Sequence, residues 1–255
     1  MLGKTESLQI SMGGTSVCGP KPINQDAFAA YQPKEQHLRH LKGVCLAIAD
    51  GLSSGKQSQE ASQMAVVEFI DEYYATSVTQ SVKACAGKVL NGLNAWLFAQ
   101  NNTNRFRELD VDDGLVTTFT AAIIKGRTAY ICHAGDSRAY VFRNNNLHQI
   151  SNDHVRRYSG QWVLTKALGI EKHVDIDYYE EELTEHDVLL LSTDGLHGVF
   201  PGNALAEALT ATLEQFPDDL EACSKSLVEQ AIELGADDNV SCLLGRIESL
   251  PLESL

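Results

Sequence analysis

The chain contains a short, wholly apolar segment, residues 188–191, that is followed at once by Ser192-Thr193-Asp194-Gly195. A run of this length, ended by turn residues, predicts a strand that is buried on both faces. This feature constrains the fold most, because such a strand needs packed layers on either side of it. It also places the carboxylate of Asp194 at the end of a strand.

A second segment repeats the arrangement, since residues 44–49 are apolar and lead into Asp50-Gly51. An Asp-Gly pair after a strand is more often a plain turn, because Asp can bond to its own backbone and Gly accepts positive φ. For either pair alone, both interpretations stay open, a turn or a functional site. Further acids at strand ends would favour the site.

Size and composition indicate a folded chain. With 255 residues, 44% of them hydrophobic and 21% charged, the sequence suits one large domain over residues 1–255. Its 34 acidic and 20 basic residues give a net charge of −14. That charge disfavours nucleic acid and membrane surfaces as partners and favours cations, although an acidic surface also serves solubility alone.

The six cysteines are scattered and form no C-x-x-C pair. This distribution is typical of small buried side chains in a reducing compartment. No apolar run approaches the ~18 residues of a membrane span, and no signal-like segment opens the sequence. We therefore expect a cytoplasmic protein without a membrane segment.

The rest of the pattern alternates blocks of strands with pairs of helices, which indicates an α+β layered domain. Apolar residues at helical spacing predict four helices, near 61–73, 81–100, 205–216 and 220–234. Strands are predicted near 8–12, 117–124, 128–133, 139–142, 147–150 and 240–245.

Four shorter segments also receive an interpretation. Gly13-Gly14 is expected to end the first strand, and residues 162–168 to form a short helix capped by Gly169. The acidic run Glu180-Glu181-Glu182 is expected to be a solvated face, and residues 110–114 a solvated turn rather than a calcium loop.

Five acids share the position at or beside a strand end: Asp26, Asp50, Asp136, Asp194 and Asp238. Strand ends gather at the rims of a layered domain, so these carboxylates can converge. Carboxylates packed together repel one another and call for a cation. Oxygen ligands without Cys/His spacing favour Mg²⁺ or Mn²⁺ over zinc, and two such ions are suited to hydrolysing a phosphate ester.

Six motifs now stand in one order along residues 8–247. They are Asn24-Gln25-Asp26, Ala49-Asp50-Gly51, Thr117-Thr118, Gly135-Asp136-Ser137-Arg138, Ser192-Thr193-Asp194-Gly195 and Asp238-Asn239. Together they resemble the metal-dependent protein phosphatases of the 2C type. The resemblance implies a four-layer α/β/β/α sandwich with two central antiparallel sheets. It also implies a phosphoserine/phosphothreonine protein phosphatase in which a metal-bridging hydroxide attacks phosphorus and no side chain is the nucleophile.

The resemblance also implies a role for each matching residue. Asp50 would bridge two Mn²⁺ or Mg²⁺ ions, with the Gly51 carbonyl on one and Asp194 and Asp238 on the other. Asp26 would act through metal-bound water, and Asp136 would belong to a third, weaker metal site.

Departures from the family pattern bear on activity. Lys21 stands where the family has a phosphate-binding arginine, so the anchor keeps its charge and loses the bidentate fork. Residues 153–169 are shorter than the family's flap, so we expect an open cleft. Lys21 and the altered segment Leu52-Ser53-Ser54-Gly55 leave one alternative to the protein phosphatase, a catalytically weak or inactive binding domain of the same fold. A further alternative is a hydrolase for small phosphate esters.

A narrower resemblance concerns Ser53-Ser54 and Asn94-Ala95-Trp96-Leu97. These residues are similar to bacterial members of the family that are fused to a Ser/Thr kinase domain. The resemblance implies phosphoprotein substrates and a Ser/Thr kinase domain as a partner, in the same chain or a neighbouring one.

Overall fold

The structure is a computed structural model, and it describes residues 7–52, 56–104 and 114–252. Residues 53–55 and 110–113, on which part of the expectations above fall, lie outside that description. Within the described ranges the strands are β1 (Gln9–Val17), β2 (Asp26–Tyr31), β3 (Val44–Asp50), β4 (Phe119–Lys125), β5 (Thr128–Ala134), β6 (Arg138–Arg143), β7 (Asn146–Gln149), β8 (Val155–Tyr158), β9 (Gln161–Leu164), β10 (Asp177–Glu182), β11 (Val188–Ser192) and β12 (Val240–Ser249). The helices are α1 (Gln36–Lys42), α2 (Lys56–Ala75), α3 (Val82–Asn104), α4 (Asp194–His197), α5 (Ala204–Gln215) and α6 (Leu220–Glu233).

Ten of these strands form two antiparallel sheets of five. The first, which we call the β11 sheet, has the order β1-β12-β11-β6-β7, and the second, the β3 sheet, has the order β10-β5-β4-β3-β2. β8 and β9 form a separate hairpin. The predicted strand at residues 188–191 thus lies at the centre of its sheet.

Three apolar cores separate four layers. Alternate residues of β11 point in opposite directions: Leu189 and Leu191 pack between the two sheets, while Val188 and Leu190 pack under α5 and α6. On the other side, α2 and α3 cover the outer face of the β3 sheet. The predicted α/β/β/α sandwich is confirmed, and the wholly apolar run is explained by burial on both faces.

The first strand corrects one expectation. β1 does not end at Gly13-Gly14 but continues to Val17. A Cβ at Gly13 would overlap the backbone of α6 at Leu220, and one at Gly14 would overlap the ring of Phe28. These glycines therefore allow layers to approach closely, which is a packing role and not a turn.

The expected helix at residues 162–168 is wrong. Residues 161–164 form β9, which pairs with β8 from Val155↔Leu164 to Tyr158↔Gln161. Ser159 and Gly160 turn the hairpin with φ of 48° and 89°. Gly169 caps no helix; with φ of 89°, it lets the backbone pass the carbonyl oxygen of Leu115, which a Cβ would overlap.

The acidic run is part of a strand. Glu180-Glu181-Glu182 lies in β10, which pairs with β5 at the edge of the β3 sheet. The side chains are exposed or half-buried, so the solvated face was expected correctly and the strand was missed. Charged residues on an edge strand also hinder pairing with a second chain.

None of the helices described combines the length and hydrophobicity that crossing a bilayer requires.

Candidate active site

The carboxylates predicted at strand ends meet in one cleft. A cavity of about 540 Å³ lies where the ends of both sheets come together. Six of the seven predicted site residues line it: Lys21, Asp50, Gly51, Asp136, Asp194 and Asp238. The seventh, Asp26, lies behind them and is only 7% exposed.

The position of Asp50 is set by hydrogen bonds to its own backbone. β2 and β3 pair so that Asp26 lies directly opposite Asp50. From the neighbouring strand, the Thr118 amide donates to the Asp50 carbonyl at 2.8 Å, and the Asp50 amide donates to Thr118 Oγ1 at 2.8 Å. Thr117 Oγ1 donates to the same carbonyl at 2.9 Å. The backbone is thereby held rigidly while the carboxylate stays directed at the cleft.

The glycines that follow the two strand-end aspartates have a packing role. Gly51 forms an isolated β-bridge with Thr117, Gly195 lies in the short helix α4, and neither has positive φ, so neither pair is a plain turn. A Cβ at Gly51 would overlap the carbonyl oxygen of Ser58, and one at Gly195 would overlap that of Asn239. Asp194 and Gly195 instead begin α4. Glycine is needed because other chain segments pass directly against the cleft backbone.

Asp26 is held by two hydroxyl groups from the other sheet. Thr193 Oγ1 and Ser241 Oγ donate to Asp26 Oδ2 at 2.8 and 2.6 Å. Asp26 Oδ1 is buried and has no hydrogen-bond partner among the described residues. Burial raises the pKa of Asp26 to about 7; the two hydroxyls oppose that shift, and the charges of Asp194 and Asp238 add to it.

Asp50, Asp136 and Asp194 also have raised pKa values. Burial raises the pKa of Asp50 well above its usual value, and the charges of Asp26 and Asp194 raise it further. Burial and then Asp194 raise the pKa of Asp136 to about 6. Burial and then Asp238 raise the pKa of Asp194, whose Oδ1 is a second buried oxygen with no partner among the described residues. The cleft thus concentrates negative charge that its own residues do not balance.

Lys21 is the one basic side chain among the described residues that line the cavity. Its ammonium lies 3.0 Å from Asp238 Oδ1 and 3.1 Å from Oδ2, and this contact raises the pKa of Lys21. In the described ranges no group of three or more His, Cys, Asp or Glu side chains is arranged so that it could hold a metal ion. The chemistry of the cleft nevertheless suits a hard divalent cation, because its donors are oxygens and two buried carboxylate oxygens have no partner among the described residues.

The β8–β9 hairpin forms one wall of the cleft through Val155, Trp162 and Leu164. The Trp162 side chain is 70% exposed. Although the flap is short, it therefore forms part of the cleft. Sequence reasoning missed Trp162 because it assigned the segment to a helix.

His154 fastens that hairpin to the strand end that carries Asp136. Its amide donates to the Gly135 carbonyl at 2.8 Å, and its Nδ1 accepts from the Gly135 amide at 3.0 Å. Its Nε2 lies 3.2 Å from Asp177 Oδ2.

Sequence reasoning also missed Ser241. The available signal was a polar residue inside the apolar run of β12.

Comparison with known proteins agrees with the family resemblance found in the sequence. The family model described as protein phosphatase 2C matches residues 14–233. The serine/threonine phosphatase stp of Listeria welshimeri serovar 6b is 26% identical over 218 residues, which cover 77% of this chain and 82% of stp.

Two solved structures share the fold. The catalytic domain of the serine/threonine protein phosphatase PstP, solved in complex with two manganese ions, has a TM-score of 0.75 at 24% identity, covering 95% of this chain and 100% of that one. The serine/threonine phosphatase of S. agalactiae has a TM-score of 0.77 at 20% identity, covering 94% and 100%.

Proposed function

Because the chain belongs to the protein phosphatase 2C family, we propose that it hydrolyses phosphoserine and phosphothreonine in proteins with Mn²⁺ or Mg²⁺ bound in the cleft. The observation that carries this proposal is the convergence of Asp50, Asp136, Asp194 and Asp238 on one cavity with a single lysine beside them. The activity named for the stp relative and the two manganese ions of PstP support it.

We assign the metal ligands as follows. Asp50 would hold two ions, the Gly51 carbonyl would contribute to one of them, and Asp194 and Asp238 would hold the other. Asp136 would hold a third, weaker ion. Asp26 would contribute through a water molecule, which could donate a hydrogen bond to the Oδ1 that has no partner among the described residues. Raised carboxyl pKa values support the assignment, because burial and then the neighbouring carboxylates raise them, and a bound cation would stabilise the ionised form against both.

The divalent ions supply Lewis acidity for the phosphoryl group and lower the pKa of water. The chain's own residues bind and orient. Lys21 offers an ammonium at the rim of the cavity, where it can bind a phosphate oxygen once it separates from Asp238. Thr118 and Thr193 fix Asp50 and Asp26, so that the carboxylates are positioned before substrate arrives.

The proposal is tested by hydrolysis of p-nitrophenyl phosphate with Mn²⁺, with and without chelator. Asp194→Asn should lower the rate by about a hundredfold or more, because one ion loses a charged ligand. Asp175→Asn is the control, since its side chain is 91% exposed and lies outside the cavity. Turnover that survives the chelator, or none at all with Mn²⁺, would contradict the proposal; the second result would favour a phosphatase-fold binding domain.

A phosphothreonine peptide then separates protein substrates from small esters. If the chain is a protein phosphatase, kcat/KM for the peptide should exceed that for p-nitrophenyl phosphate, because the β8–β9 wall of the cleft can contact peptide residues that the small ester lacks. Equal values would favour the small-ester hydrolase.

We further propose that residues 1–255 form one phosphatase domain, that it works in a reducing compartment such as the cytoplasm, and that its substrates are products of a Ser/Thr kinase in the same or a neighbouring chain. The six cysteines support the compartment, since none is paired. The resemblance at Asn94 is weaker support for the kinase, because its buried side chain has a structural role: it bonds to the Glu171 and Lys172 carbonyls and the Gly169 amide.

A further inference from the structure

A second, larger cavity lies at the other end of the β3 sheet. Its volume is about 1120 Å³. Helix α1, the start of α3 and the β4–β5 turn surround it. Six basic or titratable nitrogen side chains line it: His37, Arg39, His40, Lys83, Lys125 and Arg127. Among the described lining residues, Glu180 is the one acid.

We propose that this basic cleft binds an acidic segment of a partner protein. The inference goes beyond phosphatase activity and does not depend on it. The basic cleft is separate from the carboxylate cleft. Strand β4 begins beside Asp50 and ends at Lys125, seven residues later. At ~3.3 Å per residue the two clefts are therefore about 23 Å apart.

The concentration of positive charge is unusual for this chain. Acids outnumber bases by 34 to 20 in the whole sequence, yet four of the Lys and Arg residues face one acid in this cleft. A random surface patch of this protein would be acidic. A local excess of the opposite sign attracts ligands that the rest of the surface repels.

Local ion pairing does not account for three of these charges, those of Arg39, Lys83 and Lys125. In the part of the chain that the structure describes, Arg39, Lys83 and Lys125 have no acidic partner within salt-bridge distance. The Arg39 guanidinium donates to the Leu8 carbonyl at 3.2 Å, which positions it without neutralising it. The Lys83 ammonium lies 4.9 Å from the centre of the Tyr178 ring.

Helix stability does not account for them either. Lys83 is the second residue of α3, and the first turn of that helix contains no acid. A cation at a helix N-terminus is unfavourable, because the helix dipole is positive there. The charge at this position thus has a local cost, which binding of an anionic partner would offset.

A protein segment fits the cleft better than a single small anion. The volume exceeds what one phosphate needs, and the cations come from three separate elements, so they can meet several carboxylates in a row. The exposed Leu252 side chain adds an apolar contact on the same wall. A recess enclosed by two helices and a hairpin also suits a peptide better than a flat lipid surface.

The test measures direct binding of a short labelled peptide of alternating glutamate and glycine by fluorescence anisotropy. The full chain should bind it, and raising the salt concentration should weaken binding, because exposed charges are screened. The double variant K83E/K125E should weaken binding by about tenfold or more. Lys83→Glu removes an unfavourable charge from the start of α3, so this variant should fold; its circular dichroism is checked in parallel.

Lys172→Glu is the matched control, because it reverses one exposed lysine outside the cleft; it should leave affinity within about twofold. A neutral peptide of glutamine and glycine should not bind. The proposal is overturned if the double variant binds as tightly as the parent chain, if the acidic peptide does not bind at all, or if vesicles of anionic phospholipid bind through the cleft and the peptide does not. Asp50→Asn should bind the peptide normally, which separates this site from catalysis.

Discussion

Replacing Asp26 by asparagine should make the metal-free protein more stable and the enzyme less active. In the parent chain Asp26 is buried beside Asp50, and one of its oxygens has no partner. Asparagine keeps an oxygen to accept from Thr193 and Ser241. It replaces the orphaned oxygen by an amide nitrogen, which can donate to the surrounding carboxylates. The substitution therefore removes a charge that the folded protein accommodates poorly.

The magnitude follows from the pKa of Asp26, which burial raises from 3.8 to about 7. A raised carboxyl pKa means that the folded state loses stability as the group ionises between pH ~4 and ~7. At about 1.4 kcal/mol per pH unit the full cost is about 4.5 kcal/mol. Relaxation around the carboxylates and entry of water reduce it to about 2 kcal/mol. For a chain of this length that corresponds to an increase in Tm of about 4–8 °C.

The assay is thermal unfolding in chelator at pH 8 and at pH 4. The gain from Asp26→Asn should be nearly full at pH 8 and small at pH 4, where Asp26 is protonated in the folded protein and about half ionised in the unfolded chain. Asp187→Asn is the control of opposite sign: although burial opposes it, bonds from Arg143 and Thr184 lower the pKa of Asp187. That variant should lose stability at pH 8. If Asp26→Asn gains nothing at pH 8, or gains equally at both pH values, the reasoning about crowded carboxylates is refuted.

Three further substitutions probe other parts of the cleft. Lys21→Ala should raise KM for a phosphopeptide about tenfold. Isothermal titration should show that the variant binds Mn²⁺ more tightly, because Asp238 is released from its ion pair. If neither KM nor the Mn²⁺ affinity changes, Lys21 is not the phosphate anchor. Gly195→Ala should lower the free energy of unfolding in urea by about 1–3 kcal/mol, since its Cβ would overlap the Asn239 carbonyl; a neutral effect would show that this backbone can move. Trp162→Ala should raise KM for the peptide several-fold and leave p-nitrophenyl phosphate unaffected, and equal effects on both substrates would mean that the hairpin acts on catalysis generally.

The parts of the fold that the sequence predicts correctly are those with one dominant physical signal. The apolar runs of β3 and β11 admit few alternatives to buried strands, so Asp50 and Asp194 were placed correctly at their ends. The β9 segment failed because three apolar residues beside a turn satisfy a helix and a strand equally. Its hairpin is fixed by pairing with β8, which local periodicity does not encode.

Strand registers and contacts between distant segments could also not be predicted from the sequence. The motifs identify Asp26 and Asp50 as candidates, but only the β2–β3 register shows that they are opposite each other. Gly13 and Gly195 illustrate the same limit. Their role depends on a helix or loop that comes some 40 to 200 residues later in the chain and passes against them, and a glycine looks the same in a sequence whether it turns the chain or makes room for a neighbour.

The cleft belongs to neither sheet alone. Asp26 and Asp50 come from the β3 sheet, whereas Asp194 and Asp238 flank strands of the β11 sheet. The hydroxyls of Thr193 and Ser241 reach across to Asp26, so the two halves are joined at the carboxylates themselves. The spacing of the proposed metal ligands is therefore set by how the two sheets pack, and the dense apolar core between them holds these four carboxyl groups together.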